Sequence, residues 1–261
     1  MEFGVQTFTV RREQKRGIKQ AYLPLLQLGI KSFEVARIDF SERNAREIKA
    51  FAEEYGAKIS AVQVKPKYVI NSPEKIIGFC KITGCKIVVI SMLPFKCILG
   101  SEKSFYSFVD SLDGLAERYA KEGITLAYHH HNWEYIKLSN GKSRMAELIE
   151  RTEKIKFVHD TYWTARCGIS PTRQIEAFSD RLIGIHLRDL AFRKKGIGVV
   201  SVDSAIGEGV VDFSELLEAA RAVGCSYYVI EQKTKKPYSE IEKSLERLKE
   251  IERELGLEDA L

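Results

Sequence analysis

The chain has 261 residues, of which 44% are hydrophobic and 30% are charged. This length suffices for one large hydrophobic core, and the composition is that of a globular protein rather than of a disordered or fibrous one. The 41 basic and 36 acidic side chains give a net charge of +5 and are interspersed along the chain. Short basic runs such as Arg193-Lys194-Lys195 lack interleaved aromatic residues, so we expect no nucleic-acid binding, whereas small anionic substrates stay possible.

The cysteines and the apolar segments predict a cellular location. Five cysteines show no CxxC or other metal-binding spacing, and their odd number and apolar surroundings favour free thiols in a reducing cytosol. The first residues lack the basic and apolar regions of a secretory signal. No run of eighteen apolar residues is present that would span a membrane. We therefore expect a soluble, cytoplasmic protein with no membrane contact.

Short β-rich runs alternate with longer helical patterns, which is typical of successive βα units and a parallel sheet. Eight strands are predicted, at about residues 3–8, 32–37, 58–64, 86–91, 124–129, 155–160, 182–187 and 226–231. Eight such units close into a barrel. The predicted fold is therefore α/β, a single (β/α)8 TIM barrel that occupies residues 1–261 as one domain.

The segments between the strands carry helix signals. Residues 41–55 place apolar side chains at helical spacing after Ser41, a plausible N-cap, and Ser72-Pro73 indicates another helix start. Five glycines each precede a predicted strand, where a left-handed glycine can end a helix: Gly29, Gly56, Gly84, Gly123 and Gly224. The long connections 91–101 and 188–211 follow strands four and seven, on the face where such barrels build their active sites.

Side chains that can bind metals lie where the predicted strands end. The fifth run is Leu126-Ala-Tyr-His-His-His-Asn-Trp-Glu-Tyr135, which holds three of the five histidines. Alternation along a strand places His129 and His131 on one face and His130 on the other. Four other runs end in Lys65, Asp160, His186 and Glu231. Carboxylates and imidazoles gathered in this way could ligate a divalent metal of intermediate hardness.

Each of these residues also has a purely structural interpretation. Asp160 ends a buried strand, so it must be paired, hydrogen-bonded or metal-bound, and it could instead cap a helix. His186 could ligate a metal through one nitrogen while a neighbour fixes the other, and Arg188 could hold a sugar hydroxyl or a phosphate. Glu231 could remove a proton beside a carbonyl, or it could form only a salt bridge with a lysine such as Lys65.

Together these motifs resemble the xylose isomerase-like TIM barrels, a family of sugar phosphate isomerases and epimerases. The resemblance covers nearly the whole chain, through residues 5–11, 128–134, 160–163, 186–189, 207–213 and 231–232. It implies one divalent metal ion, Mn, Mg, Co or Zn, at the carboxyl-terminal mouth of the barrel. It also implies proton abstraction next to a carbonyl, through an enediolate of a sugar or polyol ketone.

The resemblance carries three metal ligands over to Asp160, His186 and Glu231. Better-known epimerases end strand five with a glutamate where this chain has His129. In a similar subgroup a later acid takes that role, so Glu134 is the expected fourth ligand. His131 then becomes a substrate-binding or acid/base residue. The expected catalytic residues are Glu231, His131 and Glu134.

The remaining predicted site residues would contact the substrate. They are Arg11, Lys65, His129, Trp133, Trp163 and Arg188. Lys65 and Arg188 would orient substrate oxygens. The two tryptophans would pack on a sugar face, or on a partner subunit if the protein is a homo-oligomer.

Other functions compete with isomerisation. Residues 128–131 look like the corresponding segment of inosose dehydratases, in which proton removal beside a ketone is followed by loss of water, so a lyase is the main alternative. A barrel that binds sugars without turnover would account for the unusual strand five and for Lys233. An endonuclease of the same superfamily binds three zinc ions and needs many histidines, but strands two and three end without any. The sequence thus favours a metal-dependent sugar isomerase or epimerase.

Overall fold

The computed structural model describes residues 1–257, in which eight parallel strands close into a barrel. Ten strands are present in these residues: β1 (Phe3–Gln6), β2 (Ser32–Ala36), β3 (Lys58–Val64), β4 (Ile87–Ile90), β5 (Thr125–His129), β6 (Lys156–Asp160), β7 (Leu182–Leu187), β8 (Asp189–Lys195), β9 (Gly198–Ser204) and β10 (Tyr227–Ile230). The barrel order is β1-β10-β7-β6-β5-β4-β3-β2, and β8 and β9 form a separate two-stranded sheet. The prediction of a (β/α)8 barrel is confirmed. Residues 258–261 of the predicted domain lie outside the described residues.

Helices cover the outside of the barrel, and each longer helix packs its apolar face against the strands. The helices in the described residues are α1 (Ile18–Gln27), α2 (Glu42–Tyr55), α3 (Pro66–Asn71), α4 (Pro73–Thr83), α5 (Phe95–Leu99), α6 (Glu102–Ala120), α7 (Arg144–Arg151), α8 (Thr161–Arg166), α9 (Pro171–Phe178), α10 (Phe213–Ala222) and α11 (Pro237–Glu254). Single 3-10 turns are formed by Glu13–Arg16, Trp133–Tyr135 and Ser179–Arg181.

The helix signals of the sequence correspond to real helix ends. Ser41 caps α2 through its side-chain oxygen, which accepts a hydrogen bond from the backbone of Asn44. Pro73 begins α4, although the Ser72 side chain makes no capping bond within residues 1–257. The five glycines predicted to end helices all have φ between 62° and 90°. At these positions a side chain would be strained, because only glycine adopts this conformation freely.

A small cluster fills the barrel interior, apart from the larger core between strands and helices. It consists of Ala61, Val89, Ala127, Val158, Tyr227 and Val229. The ring of Tyr227 occupies the space next to Gly184, where a Cβ would lie 2.2 Å from the ring. This filling closes the barrel below its mouth, so the polar residues at the strand ends lie on a packed base.

The segment predicted as a long loop after strand seven contains the β8–β9 hairpin. Its pairs run from Asp189↔Ser204 to Lys195↔Gly198, which leaves a two-residue turn at Gly196-Ile197. Gly196 has φ 62°, as such tight turns require. The sequence did not predict β8, because the strand ends in basic, solvent-exposed residues and so lacks the apolar pattern of a buried strand.

Across residues 1–257 no helix combines the length and the apolar character that a membrane crossing needs.

Candidate active site

A cavity of about 1150 Å³ opens at the carboxyl-terminal mouth of the barrel. Side chains from the ends of several strands line it, among them His129, His131, Arg188 and Glu231. This is the face at which TIM-barrel enzymes place their catalytic residues. The cavity is therefore the candidate active site.

Four buried residues at this mouth could hold one metal ion. They are His129, Asp160, His186 and Glu231, and each offers one ligand atom within 4.8 Å of the others. The barrel register produces the group, because Asp160 lies beside His186 on neighbouring strands. Two imidazoles and two carboxylates suit divalent ions such as Zn²⁺, Co²⁺ or Mn²⁺.

His186 lies between two carboxylates. Its Nε2 is 2.9 and 3.0 Å from the two carboxylate oxygens of Glu34, a buried residue of β2. Because a carboxylate accepts, Nε2 carries a proton, and Nδ1 is the nitrogen that faces Glu231 and can lose its proton to a metal ion. Nδ1 is 2.9 Å from Oε2 of Glu231, yet neither atom has a hydrogen-bond partner within residues 1–257. Two facing acceptors need a positive charge between them, which a proton or a metal ion can supply.

The carboxylates around His186 change its pKa strongly. Burial alone would lower the pKa of His186, but Glu34 and Glu231 outweigh burial and raise it to about 10. Burial would likewise raise the pKa of Glu231, but Arg188 and His186 outweigh it and lower the pKa to about 2. The metal-free site thus attracts a proton to the position at which a cation would bind.

His129 is oriented in a similar way. Its Nδ1 lies 3.3 Å from the carbonyl oxygen of Ser91, which can only accept a hydrogen bond. Nε2 is therefore the free nitrogen, and it lies 3.4 Å from Oδ2 of Asp160. A backbone carbonyl that holds the far nitrogen of a histidine is the usual support for a metal-binding imidazole. The residues present therefore fit a divalent metal.

Asp160 caps a helix and is also one of the four candidate metal ligands. Its Oδ1 accepts a hydrogen bond from the backbone of Trp163 and so caps α8. Its Oδ2 accepts a 2.9 Å bond from Nη1 of Arg188. Burial opposes the charge of Asp160, but Arg188 and His129 outweigh burial and hold its pKa well below the usual range. The helix-capping and ligand interpretations of this aspartate are compatible, since they use different oxygens.

Arg188 connects three carboxylates. Nη1 donates to Asp160 and, at 3.2 Å, to Oε1 of Glu231, while Nη2 donates at 2.7 Å to Oδ1 of Asp203 on β9. The guanidinium also lies 4.7 Å from the ring centroid of Tyr162. Although Arg188 lines the cavity as predicted, its donors already serve the chain's own acids, so it positions candidate ligands.

Glu134, the expected fourth ligand, lies elsewhere. The hydroxyl of Tyr128 donates to one of its oxygens, and the backbone of His131 donates to the other at 2.8 Å. In the described chain Glu134 does not belong to the four-residue group, and His129 occupies the strand-five position instead. After β5 the chain turns at once into the 3-10 segment, which folds Glu134 back onto the strand end. Burial raises its pKa against these hydrogen bonds.

His131 faces the cavity, as the alternation along strand five predicts. Its ring centroid lies 5.2 Å from that of Trp133 and 5.1 Å from that of Trp163. Burial and the neighbouring His129 lower the pKa of His131 to about 3, so the ring is neutral. Its Nδ1 is buried and has no partner among residues 1–257. A neutral imidazole with a free nitrogen can exchange a proton with a substrate.

The other predicted substrate contacts divide into two sets. Lys65 and Trp163 line the cavity. Trp133 and Arg11 are absent from its lining in the part of the chain described: Trp133 packs on His131, and Arg11 donates to the carbonyl of Phe8. Arg11 instead borders a smaller depression of about 280 Å³.

Glu34 and Asp203 are site residues that the sequence analysis did not identify. Glu34 carried a signal, since a carboxylate in the middle of the apolar strand Ser32–Ala36 needs a buried partner. Asp203 carried none, because it approaches Arg188 only through the hairpin.

The fold and the four-residue group define a (β/α)8 barrel with a candidate metal site at its carboxyl-terminal mouth. Residues 24–251 match the sequence model of the xylose isomerase-like TIM barrel family, and the chain belongs to that family. The resemblance found in the sequence is confirmed.

Similar proteins agree with this assignment. An inosose dehydratase of Geobacillus thermodenitrificans is 24% identical over 143 residues, which are 50% of this chain and 48% of that protein. The chain thus spans about half the length of this relative. A solved sugar phosphate isomerase/epimerase from Parabacteroides distasonis superposes with TM-score 0.77 at 19% identity, covering 95% of this chain and 98% of the other. The IOLI protein with a bound zinc atom gives TM-score 0.74 at 15% identity, with 100% of both chains covered. The two structural similarities establish the fold.

Proposed function

We propose that the protein is a divalent-metal-dependent sugar isomerase or epimerase that abstracts a proton next to a carbonyl. One observation carries the proposal. His129, Asp160, His186 and Glu231 are buried and place one potential ligand atom each within 4.8 Å of the others, and His186 Nδ1 lies 2.9 Å from Glu231 Oε2. In the metal-free protein a proton on His186 balances these carboxylates, and a divalent cation would take its place.

The residues that would hold the metal are His129, Asp160, His186 and Glu231. This set replaces Glu134 by His129 in the assignment made from the sequence. A bound Mn, Mg, Co or Zn ion supplies Lewis-acid chemistry, which acidifies the carbon next to a ketone and stabilises the enediolate. The zinc atom bound by the structurally similar IOLI protein supports an ion of this type.

The protein's own side chains divide the remaining work. Glu231 is ionised, lines the cavity and would take the proton beside the carbonyl of a sugar or polyol ketone. Glu231 would return this proton to the neighbouring carbon, and neutral His131 would take a hydroxyl proton on Nδ1 and pass it to the other substrate oxygen. Glu134 positions His131 by accepting the hydrogen bond of its backbone N–H. Trp163 would pack on the apolar face of the substrate, and Lys65 would bind its oxygens.

A dehydratase is the second candidate, and it is supported by the similarity to inosose dehydratase. The first step would be the same proton abstraction by Glu231. The proton taken by Glu231 would then pass to a hydroxyl on the next carbon, directly or through His131, so water would depart and an enone would form. Solvent deuterium incorporation tests the shared step, and ultraviolet absorbance of the product distinguishes the two outcomes.

Two further alternatives are less well supported. A three-zinc endonuclease is disfavoured because His130 and His159 pack outside the barrel wall, with 3.1 Å between His130 Nε2 and His159 Nδ1. A sugar-binding barrel without turnover would bind ligands and leave them unchanged. The five free cysteines support a reducing compartment, which we propose to be the cytoplasm.

Elemental analysis of the purified protein is the first test. We expect about one divalent ion per chain in the wild type and none in an Asp160→Ala, His186→Ala double variant. His129→Ala should lose the ion, whereas the matched variant Glu134→Gln should keep it. The proposal fails if the wild type binds no ion after incubation with manganese, cobalt and zinc.

Turnover is the second test. Asp160→Asn and Glu231→Gln should each abolish solvent deuterium exchange into a ketose substrate while the circular dichroism spectrum stays native. Full exchange activity in either variant would contradict the assigned mechanism.

A further inference from the structure

The mouth cavity carries an unusual share of the protein's charge. Nine cationic and four anionic side chains line it, a surplus of five positive charges. This surplus equals the net charge of +5 of the whole chain, so the charges of all residues outside the lining sum to zero. The excess positive charge is concentrated around one opening.

Most of these cations have no acidic partner. Lys75 pairs with Asp39, and Arg188 pairs with the site carboxylates. The other seven form no ion pair within residues 1–257, and six of them lie on strand ends, the hairpin and the loop after β10: Arg37, Lys65, Arg193, Lys233, Lys235 and Lys236. Solvated surface cations are normally interspersed with acids. Cations that outnumber the acids around one opening, and that have no ion-pair partners, create a positive potential that attracts anions.

The buried acids below the cavity do not cancel this potential. Glu34, Glu134 and Asp160 are fully buried beside the lining and, when all are ionised, lower the surplus from five charges to two. A divalent ion in the four-residue group would raise it to four. The metal-loaded site would therefore keep most of its positive excess.

Two of the cations lie across the mouth from the candidate ligands, and a third lies at the edge of the ligand half. The ligands come from β5, β6, β7 and β10, which are neighbours in the barrel. Arg37 and Lys65 follow β2 and β3 in the opposite half, and Lys233 lies in the loop after β10, which borders β1. A substrate held at the metal could thus extend its far end toward these three cations.

The backbone of Arg37 gives independent support. Arg37 has φ 61°, which is unfavourable for a residue with a Cβ and is expected where function requires it. The preceding residue, Ala36, is fixed on both sides, since its N–H donates to the Thr7 hydroxyl at 2.8 Å and its carbonyl accepts from it at 3.1 Å. The guanidinium lies 5.2 Å from the ring centroid of Phe8, another lining residue. The turn at the end of β2 therefore holds Arg37 at the mouth.

We propose that the substrate carries an anionic group, a phosphate or a carboxylate, at the end remote from its reacting carbonyl. Arg37, Lys65 and Lys233 bind this group through charge-assisted hydrogen bonds. The volume of about 1150 Å³ is enough for an extended chain of several carbons with such a group. This inference rests on the proposed function for the ligand end of the site and adds the substrate class.

Calorimetric binding to the manganese-loaded protein tests the inference with three probes: D-fructose, D-fructose 6-phosphate and 5-keto-D-gluconate. We expect at least one anionic probe to bind roughly tenfold or more tightly than D-fructose. The preference should weaken as salt is raised. Lys65→Ala and Lys233→Ala should each reduce it, whereas Lys121→Ala, an exposed cation beyond α6 and outside the lining, should keep it.

Each result decides the question. Preference for the phosphate alone or for the carboxylate alone identifies the anion, and preference for both supports the shared chemistry. Equal affinity of all three probes, no detectable binding of either anionic probe, or a preference unchanged in both variants would overturn the inference. Because metal content and deuterium exchange are measured separately, such a failure would be distinguishable from failure of the proposed function. Circular dichroism confirms that the variants fold, which we expect because Lys65 and Lys233 are exposed.

Discussion

Replacing Arg188 by methionine tests the charge balance of the site. The side chain is buried, with 4% exposure, and it pairs with Asp160, Glu231 and Asp203 at 2.9, 3.2 and 2.7 Å. Methionine retains much of the volume but leaves these carboxylates without their cation. Breaking a buried ion pair from one side costs about 3–5 kcal/mol. For a protein of this size 1 kcal/mol corresponds to roughly 2–4 °C in Tm, so we expect the Tm of the metal-free protein to fall by about 6–20 °C.

Differential scanning calorimetry of metal-free protein at pH 8 measures the effect. The loss should be smaller at pH 5, because carboxylates freed from Arg188 take up protons more readily there, and Mn²⁺ should restore part of it. Arg166→Met is the matched control, since Arg166 is exposed at the same mouth and lies over the ring of Trp163. A loss below about 1 kcal/mol at pH 8, typical of surface ion pairs, would refute the reasoning that Arg188 compensates buried charges.

Three further predictions concern other parts of the site. Glu34→Gln should weaken zinc or manganese affinity about 10–100-fold in a competitive chelator titration, because Glu34 fixes the proton of His186, and unchanged affinity would contradict this role. In the metal-free wild type, folding lowers the pKa of Glu231 to about 2, so this group stabilises the folded state at pH values above its pKa in the unfolded chain, and the stabilisation is lost as the pH falls toward 2. Folding raises the pKa of His186 to about 10, so this group stabilises the folded state at pH values below its pKa in the unfolded chain, and the stabilisation is lost as the pH rises toward 10. Urea-unfolding free energies should therefore peak at about pH 5–6.5, and a steady rise to pH 9 would contradict the assignment. Gly209→Ala should cost about 1–3 kcal/mol in urea unfolding, because a Cβ there would lie 2.3 Å from Oδ1 of Asp189, whereas Gly198→Ala, with its nearest atom at 3.8 Å, should cost less.

The fold and three of the candidate ligands could be predicted from the sequence because both depend on local patterns. A strand that ends in a polar residue keeps that residue at the mouth wherever the strand lies in the barrel, so Asp160, His186 and Glu231 were identifiable as strand-end residues. Their meeting within 4.8 Å follows from barrel closure, which brings distant strands side by side.

The strand-five residue was harder to assign because two adjacent segments compete for one position. His129 ends β5, whereas Glu134 lies in the 3-10 segment that follows. The direction in which that segment folds depends on the hydrogen bonds from Tyr128 and from the backbone of His131 to Glu134. These contacts are not visible in spacing or composition.

The sequence analysis also did not predict the pairs of site residues that lie far apart in the chain. Glu34 and His186 are 152 residues apart and meet only when the barrel closes. Asp203 reaches Arg188 through a hairpin whose solvated residues do not show the apolar pattern of a buried strand. Sequence periodicity reports burial on one face and therefore cannot identify such partners.

The β8–β9 hairpin makes the site tolerant of some changes in chain length and sensitive to others. Asp189 anchors the hairpin base, since its carboxylate accepts backbone bonds from Gly207, Gly209 and Val211 at 2.9, 2.8 and 3.1 Å. Residues inserted at the Gly196-Ile197 tip would lengthen the hairpin away from this anchor. A slip of one residue in strand pairing would instead turn Asp203 to the opposite face of the ribbon and remove it from Arg188. Variation among related barrels should therefore accumulate at the tip and leave the pairing at the base unchanged.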